Sequence, residues 1–123
     1  ERHILERIVE AEAGDQDLEG RILVANVILN RVHSKHFPDT IKGVVFANRA
    51  GRYQFSPVSN GRYYRVTVSD KTKRAVKQAL AGKDISKGAL YFMCRSASDP
   101  KNVAWFDRDL TKVALHGCHE FFI

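Results

Sequence analysis

Glu10-Ala11-Glu12-Ala13-Gly14-Asp15-Gln16 closes one apolar stripe and precedes a second. Upstream, Ile4, Ile8 and Glu12 are spaced four apart, and Leu5, Val9 and Glu12 four and three apart. On a helix they share one face. The face that must enter the core therefore ends in a carboxylate, and Gly14 breaks the helix beside it. A core-facing glutamate is costly unless it has a purpose. Glu10 projects off the stripe and is expected in solvent. Helix one is thus read over residues 2–13. Asp17 is placed to cap a second helix from about Leu18 to His33. There Ile22, Leu23, Val24, Val27, Ile28, Leu29 and Val32 cover most of the circumference. A helix that apolar is the central core helix. Asn26 and Asn30 share a face of it. They either satisfy backbone groups or border a polar cleft, and the spacing leaves both open.

Further out, Pro38 discourages helix at Phe37, and Thr40 caps a short helix from Ile41 to Ala47. From Asn48 to Arg65 the chain reads as a long loop rich in aromatic, amide and arginine side chains. Such loops are usually functional, and this composition suits a sugar- or base-binding cleft. Ser69 or Asp70 starts another helix. Thr72, Ala75, Val76, Ala79 and Leu80 form its inner stripe, lysines and Arg74 its outer face, and Gly82 ends it. The last third reads as strands: Gly88–Cys94, Asn102–Phe106, and one or two more across Val113–His116, Gly117 and Cys118–Phe122. Helices first and a small antiparallel sheet last make an α+β fold.

At 123 residues the chain is read as one domain, 1–123, able to build a single core. Its abrupt helical start suggests a domain cut from a longer precursor, with export one option and localisation left open. No apolar run reaches the roughly 20 residues of a membrane-spanning helix. The net charge of +6 favours polyanionic partners such as nucleic acid, anionic lipid or an acidic wall polymer. A solvated basic surface is the plainer reading. The two cysteines, Cys94 and Cys118, do not form a CxxC pair. They are expected in C-terminal strands, either as a cross-strand disulfide or as free thiols.

Ala11-Glu12-Ala13-Gly14, Glu19-Gly20 and Val24-Ala25-Asn26-Val27-Ile28-Leu29-Asn30-Arg31-Val32 together resemble the start of the SleB/CwlJ-type cell-wall hydrolases, the spore cortex-lytic enzymes. The resemblance continues through Phe37–Ile41, Gly43–Phe46, Gln54–Val58, Gly61 and Gly88–Phe92, and ends with Gly117, His119 and Phe121. It covers essentially the whole chain. It implies a lysozyme-like, lytic transglycosylase-like fold and cleavage of peptidoglycan between N-acetylmuramic acid and N-acetylglucosamine. The family's catalytic glutamate falls on Glu12. Some members carry a second Glu where this chain has Gln16, so Asp15, Asp17 or Glu19 would have to serve if that acid matters. The resemblance further implies a spore or cell-envelope location and peptidoglycan glycan strands as partner, with an accessory spore protein conceivable. A monomer is expected, with no cofactor, metal or nucleic acid.

Lytic transglycosylation needs one group that is acid and then base. It protonates the glycosidic oxygen, then takes a proton from the muramic 6-hydroxyl as that attacks the anomeric carbon. Hydrolysis instead needs a second carboxylate. Burial at the end of an apolar stripe raises the Glu12 pKa by desolvating the charged form. Glu19, in a first helical turn, suits the helix dipole. Substrate-binding candidates are Tyr53, Gln54, Phe55, Ser56 and Tyr91: aromatic faces stack on sugar rings, and Gln54 and Ser56 bond hydroxyls or N-acetyl groups. Trp105 and Phe106 are assigned to the core. His119 is read as polar support for the cleft or a satisfied sheet histidine. On one continuous strand, His116 and His119 point to opposite faces and cannot share zinc without a bulge at Gly117. The competing functions are a zinc-dependent muramoyl-alanine amidase and a non-catalytic basic binding module.

Overall fold

The computed structural model describes residues 1–123. The chain runs α1 (Arg2–Ala13), α2 (Leu18–Val32), α3 (Ile41–Val45), β1 (Asn48–Arg49), β2 (Arg52–Tyr53), α4 (Ser56–Ser59), α5 (Arg62–Arg65) and α6 (Asp70–Leu80). It continues with β3 (Tyr91–Cys94), a 3-10 turn at Arg95–Ala97, α7 (Pro100–Asp109), β4 (Lys112–His116) and β5 (His119–Phe122).

α2 is the centre: Ile22, Val24, Ala25, Val27 and Ile28 are all sealed from solvent. Leu5, Ile8, Val9 and Ala13 of α1, Val44 and Val45 of α3, Val76 of α6 and Phe121 of β5 complete the core around it. Each such Val, Leu, Ile or Phe side chain stabilises the fold by roughly 1.5–3 kcal/mol. The helix starts follow the capping residues. Asp17 accepts a hydrogen bond from Gly20 N at 2.9 Å, Thr40 from Gly43 N at 2.9 Å and Ser69 from Thr72 N at 3.2 Å. Asn26 donates to Lys83 O (2.8 Å) and accepts from Ile85 N (3.0 Å), while Asn30 donates to Ala89 O (2.9 Å). Both asparagines therefore serve backbone, tying the 83–89 connector to the core helix.

The antiparallel sheet has the order β3-β5-β4. Its central strand β5 is buried at all four positions. Phe121 and Phe122 enter the core, and Glu120 is satisfied by Arg95 at 2.9 Å and Lys112 at 2.6 Å. No helix is long and apolar enough to cross a membrane.

Two expectations change and one open alternative is decided. Residues 48–65 hold the short β1–β2 ladder and the single turns α4 and α5, not one open loop. Asn102–Phe106 is helix, within α7. Asp99 caps it by accepting from Lys101 N at 2.7 Å, and Pro100 supplies a first-turn φ that needs no N–H partner. The final segment is two strands, turned at Gly117-Cys118, so His116 and His119 face each other across a hairpin. Gly117 has φ +59°, and a Cβ there would collide with the Gln16 side chain. Gln16 thus packs against the hairpin turn.

Candidate active site

The C-terminal end of α1 opens into a cleft of about 710 Å³. Ala11, Glu12 and Asp15 line one side. Gln54, Ser56, Pro57, Asn60 and Arg62, from the segment around α4 and α5, line a second. Opposite stand Tyr91, Phe92, Met93 and Cys94 of β3. Ala97, Ser98, Asp99, Asn102, Trp105 and Phe106 around α7 form a further wall, and Cys118 and His119 come from the hairpin. A smaller cavity of about 260 Å³, beside Glu19, Lys83 and His116, shares none of the cleft residues.

Glu12 lies half-buried in the cleft because it continues the inner stripe of α1. Burial pushes its carboxyl up to about 7, against a smaller downward pull from the Arg62 guanidinium. Glu10, two residues earlier, is not in open solvent as its projection suggested. Its Oε1 accepts from Ser69 N (3.0 Å), Ser69 Oγ (3.1 Å) and Thr72 Oγ1 (2.7 Å). Burial opposes its ionisation, but these bonds outweigh that and hold it below the usual carboxylate range. Glu10 thereby fastens α1 to the start of α6.

The end of α1 is fixed a second time. Buried Arg21 donates from Nε to Ala13 O at 3.2 Å, from Nη2 to Gly14 O, and from Nη1 to Ser69 Oγ at 3.1 Å. A cation on the last carbonyls of a helix satisfies orphan acceptors and matches the dipole. Gly14 itself keeps a right-handed φ of −63°. It is glycine because a Cβ would run into the Glu10 carbonyl and carboxylate. The backbone carrying Glu12 is therefore set by Glu10, Gly14 and Arg21 together.

Tyr91 is held edge-on among Phe37, Trp105 and Phe106, at centroid distances of 6.0, 5.7 and 6.1 Å. Beneath it lies Arg31, buried, donating to Leu90 O at 2.7 Å with its guanidinium over Phe37, Phe55 and Tyr91. Burial brings its pKa down to about 10. His119 is 6% exposed and packs against Phe92. Its Nδ1 has no hydrogen-bond partner. Burial lowers its pKa, with Asp15 opposing and His116 adding to the shift, so the ring is neutral near pH 7. His116 turns away from its cross-strand partner to Asp17, at 2.7 Å.

Of the residues singled out from sequence, Glu12, Gln54, Ser56, Tyr91 and His119 meet in the cleft. Tyr53 and Phe55 do not line it. Tyr53 ends β2, 39% exposed, and Phe55 is buried in the core against Phe92. Trp105 and Phe106 belong to the cleft wall and not to the core. The signal that finds them is Asp99-Pro100. A helix started there puts Asn102, Trp105 and Phe106 on one face at spacings of three and four. Gln16 lies outside the cleft lining, and Asp15 and Asp99 are the other carboxylates within it.

The sequence profile of the cell wall hydrolases matches residues 15–122. The chain belongs to the cell wall hydrolase family. The match begins three residues after Glu12, so that residue lies outside the matched segment. A spore cortex-lytic enzyme of Bacillus cereus is 34% identical over 113 residues, 92% of this chain and 41% of that protein. One from Oceanobacillus iheyensis is 40% identical over 89 residues, 72% of this chain and 30% of that protein. The chain thus spans less than half the length of these relatives. The catalytic domain of the germination-specific lytic transglycosylase SleB from Bacillus anthracis superposes with a TM-score of 0.82 at 31% identity, over 99% of this chain and 93% of that one. The Bacillus cereus SleB catalytic domain gives 0.81, also at 31% identity. The fold is the α+β, lysozyme-like one of these domains.

Proposed function

We propose that this chain cuts the glycan strands of spore-cortex peptidoglycan, between N-acetylmuramic acid and N-acetylglucosamine, by lytic transglycosylation during germination. The observation that carries this reading is Glu12: a carboxyl in a polysaccharide-sized cleft, held by burial at about 7. Such a group is substantially protonated at neutral pH and can also give up its proton, as one residue serving as acid and then base must. Glu12 protonates the glycosidic oxygen as the bond to the anomeric carbon breaks. Its carboxylate then takes the proton of the muramic 6-hydroxyl, whose oxygen closes the 1,6-anhydro ring. Water is not consumed.

The remaining cleft residues position sugars. Tyr91 and Trp105 offer aromatic surfaces to pyranose rings. Gln54, Ser56 and Asn60 offer bonds to hydroxyl and N-acetyl groups, and neutral His119 lines the same cleft. The cortex-lytic names of the relatives support peptidoglycan as the partner and a spore-associated place of action.

The test is digestion of purified cortex peptidoglycan, with products read by mass spectrometry. Anhydromuramic ends that disappear in Glu12→Gln are expected. Reducing muramic ends would instead mean hydrolysis, with Asp15 or Asp99 as the carboxylate that activates water. Undiminished cleavage by Glu12→Gln would remove Glu12 from the chemistry.

A further inference from the structure

Two thiols stand in the cleft wall, and transglycosylation uses neither. Cys94 ends β3, and its register partner across the β3–β5 ladder is His119. Cys118 directly precedes His119, in the hairpin turn. A strand residue and the chain neighbour of its cross-strand partner stand about 6 Å apart at Cα, inside the range a disulfide spans. Both side chains open onto the same cleft and both are free thiols, Cys118 exposed and Cys94 partly so. The Cys94 sulfur contacts Ser96 Oγ at 3.6 Å, and the Cys118 thiol neighbours it across the ladder. These contacts hold the Cys94 thiol below its usual range. Burial, and then the neighbouring Cys94 sulfur, push Cys118 up to about 11. The pair is therefore unequal: Cys94 is the better thiolate and Cys118 the group that follows.

We propose that Cys94 and Cys118 form a redox modification site, a reversible disulfide that staples the end of β3 to the β4–β5 turn at the cleft. The oxidant is a low-molecular-weight disulfide, RSSR. The Cys94 thiolate attacks one sulfur, the S–S bond of RSSR breaks and RS⁻ leaves. Cys118 gives its proton to that RS⁻ and attacks the Cys94 sulfur. The Cys94–Cys118 bond forms, the bond between Cys94 and SR breaks, and the second RS⁻ takes up the proton that Cys94 had released. Two protein thiols are oxidised and one small disulfide is reduced to two thiols.

The bond would close a loop over residues 94–118. That loop contains α7 and β4, and with them Asn102 and Trp105 of the cleft wall. Arg95 already braces the same wall, donating to Asp107 at 2.8 Å and to Glu120 at 2.9 Å. A covalent closure constrains the unfolded chain and ties the wall to the buried central strand. The inference is independent of the role given to Glu12.

The test equilibrates the full chain in glutathione buffers from reducing to oxidising and reads thiol alkylation, intact mass and melting temperature. Oxidised glutathione should yield a monomer without alkylatable thiols and with both thiol hydrogens lost, reversed by dithiothreitol. Its Tm should stand roughly 5–10 °C above the reduced form. Cys118→Ser should accumulate a glutathione adduct at Cys94, and Cys94→Ser should react several-fold more slowly. Tm values of both variants under reducing conditions control for folding. Thiols that still alkylate in oxidised glutathione, bonds formed only between chains, or an unchanged Tm on closure would each overturn the proposal. These wild-type readings decide it even where a variant folds poorly.

Discussion

Glu10 and Glu12 are one helix, two positions and opposite fates. Hydrogen bonds from Ser69 and Thr72 keep Glu10 ionised, while Glu12 is desolvated with no such donor. Environments that push neighbouring carboxyls apart mark acid–base chemistry. The sign of the pH dependence follows. In the proposed mechanism Glu12 carries its proton to act first as an acid, so kcat/KM on glycan should fall as pH rises through about 7, a limb absent from the residual rate of Glu12→Gln. Stability has the same sign. The folded carboxyl keeps its proton up to about 7, and the unfolded one loses it near 4.5. Between those values the folded state binds more protons, and stability drops as pH rises. At about 1.4 kcal/mol per pKa unit, discounted for partial solvent access, the loss is roughly 1–2 kcal/mol. Glu12→Gln is therefore expected to be more stable than wild type by that amount at pH 8 and about equal at pH 4. Urea melts at the two pH values measure it.

At the scale of elements, α7 carries the part of the site that was hardest to read. α2 and α6 were legible because apolar periodicity and capping residues agree in each, and α1 because its apolar stripe runs up to Gly14. In α7, Val103-Ala104-Trp105-Phe106 is a short apolar and aromatic run, which periodicity alone cannot distinguish from a strand. Only the Asp99-Pro100 start decides it. The same ambiguity hid the wall of the cleft. Tyr53 and Phe55 failed for a different reason: neighbouring residues of an irregular segment turn to different sides, and Phe55, just before α4, went inward with Arg31 against it. Gln54 and Ser56 between and beyond them reach the cleft. Two outcomes test the assignment of α7. Asp99→Ala removes the cap and should cost about 1 kcal/mol, read by urea denaturation. Trp105→Ala removes a side chain that is 37% exposed on the cleft, so it should raise KM on glycan several-fold with Tm nearly unchanged. A large Tm loss with unchanged KM would return Trp105 to a packing role.

Over the whole molecule, the charge is distributed as a feature separate from the cleft. α6 packs Thr72, Ala75, Val76 and Ala79 inward, which leaves Lys71, Lys73, Arg74 and Lys77 in solvent. None of these four takes part in an ion pair, whereas Arg95, Arg108 and Lys112 around α7 are paired with carboxylates. Part of the net charge of +6 is therefore expressed, unpaired, on the helix fastened by Ser69 to the C-terminal end of α1. Peptidoglycan carries carboxylates along its stems, so under the proposed function this face would attract the insoluble substrate without touching the reacting bond. Exposed charges act over a Debye length of about 8 Å at physiological salt and about 3 Å at 1 M. Retention of Glu12→Gln on sacculi, measured by sedimentation so that substrate is not consumed, should weaken progressively as salt rises over that range. Adding Lys73→Glu and Lys77→Glu should lower retention several-fold at low salt and flatten the salt dependence. In the Glu12 background, the same two reversals should leave kcat on short soluble glycan unchanged, because α6 contributes nothing to the cleft lining. Retention indifferent to both salt and reversal would make the basic face a solubility feature and assign binding to the cleft alone.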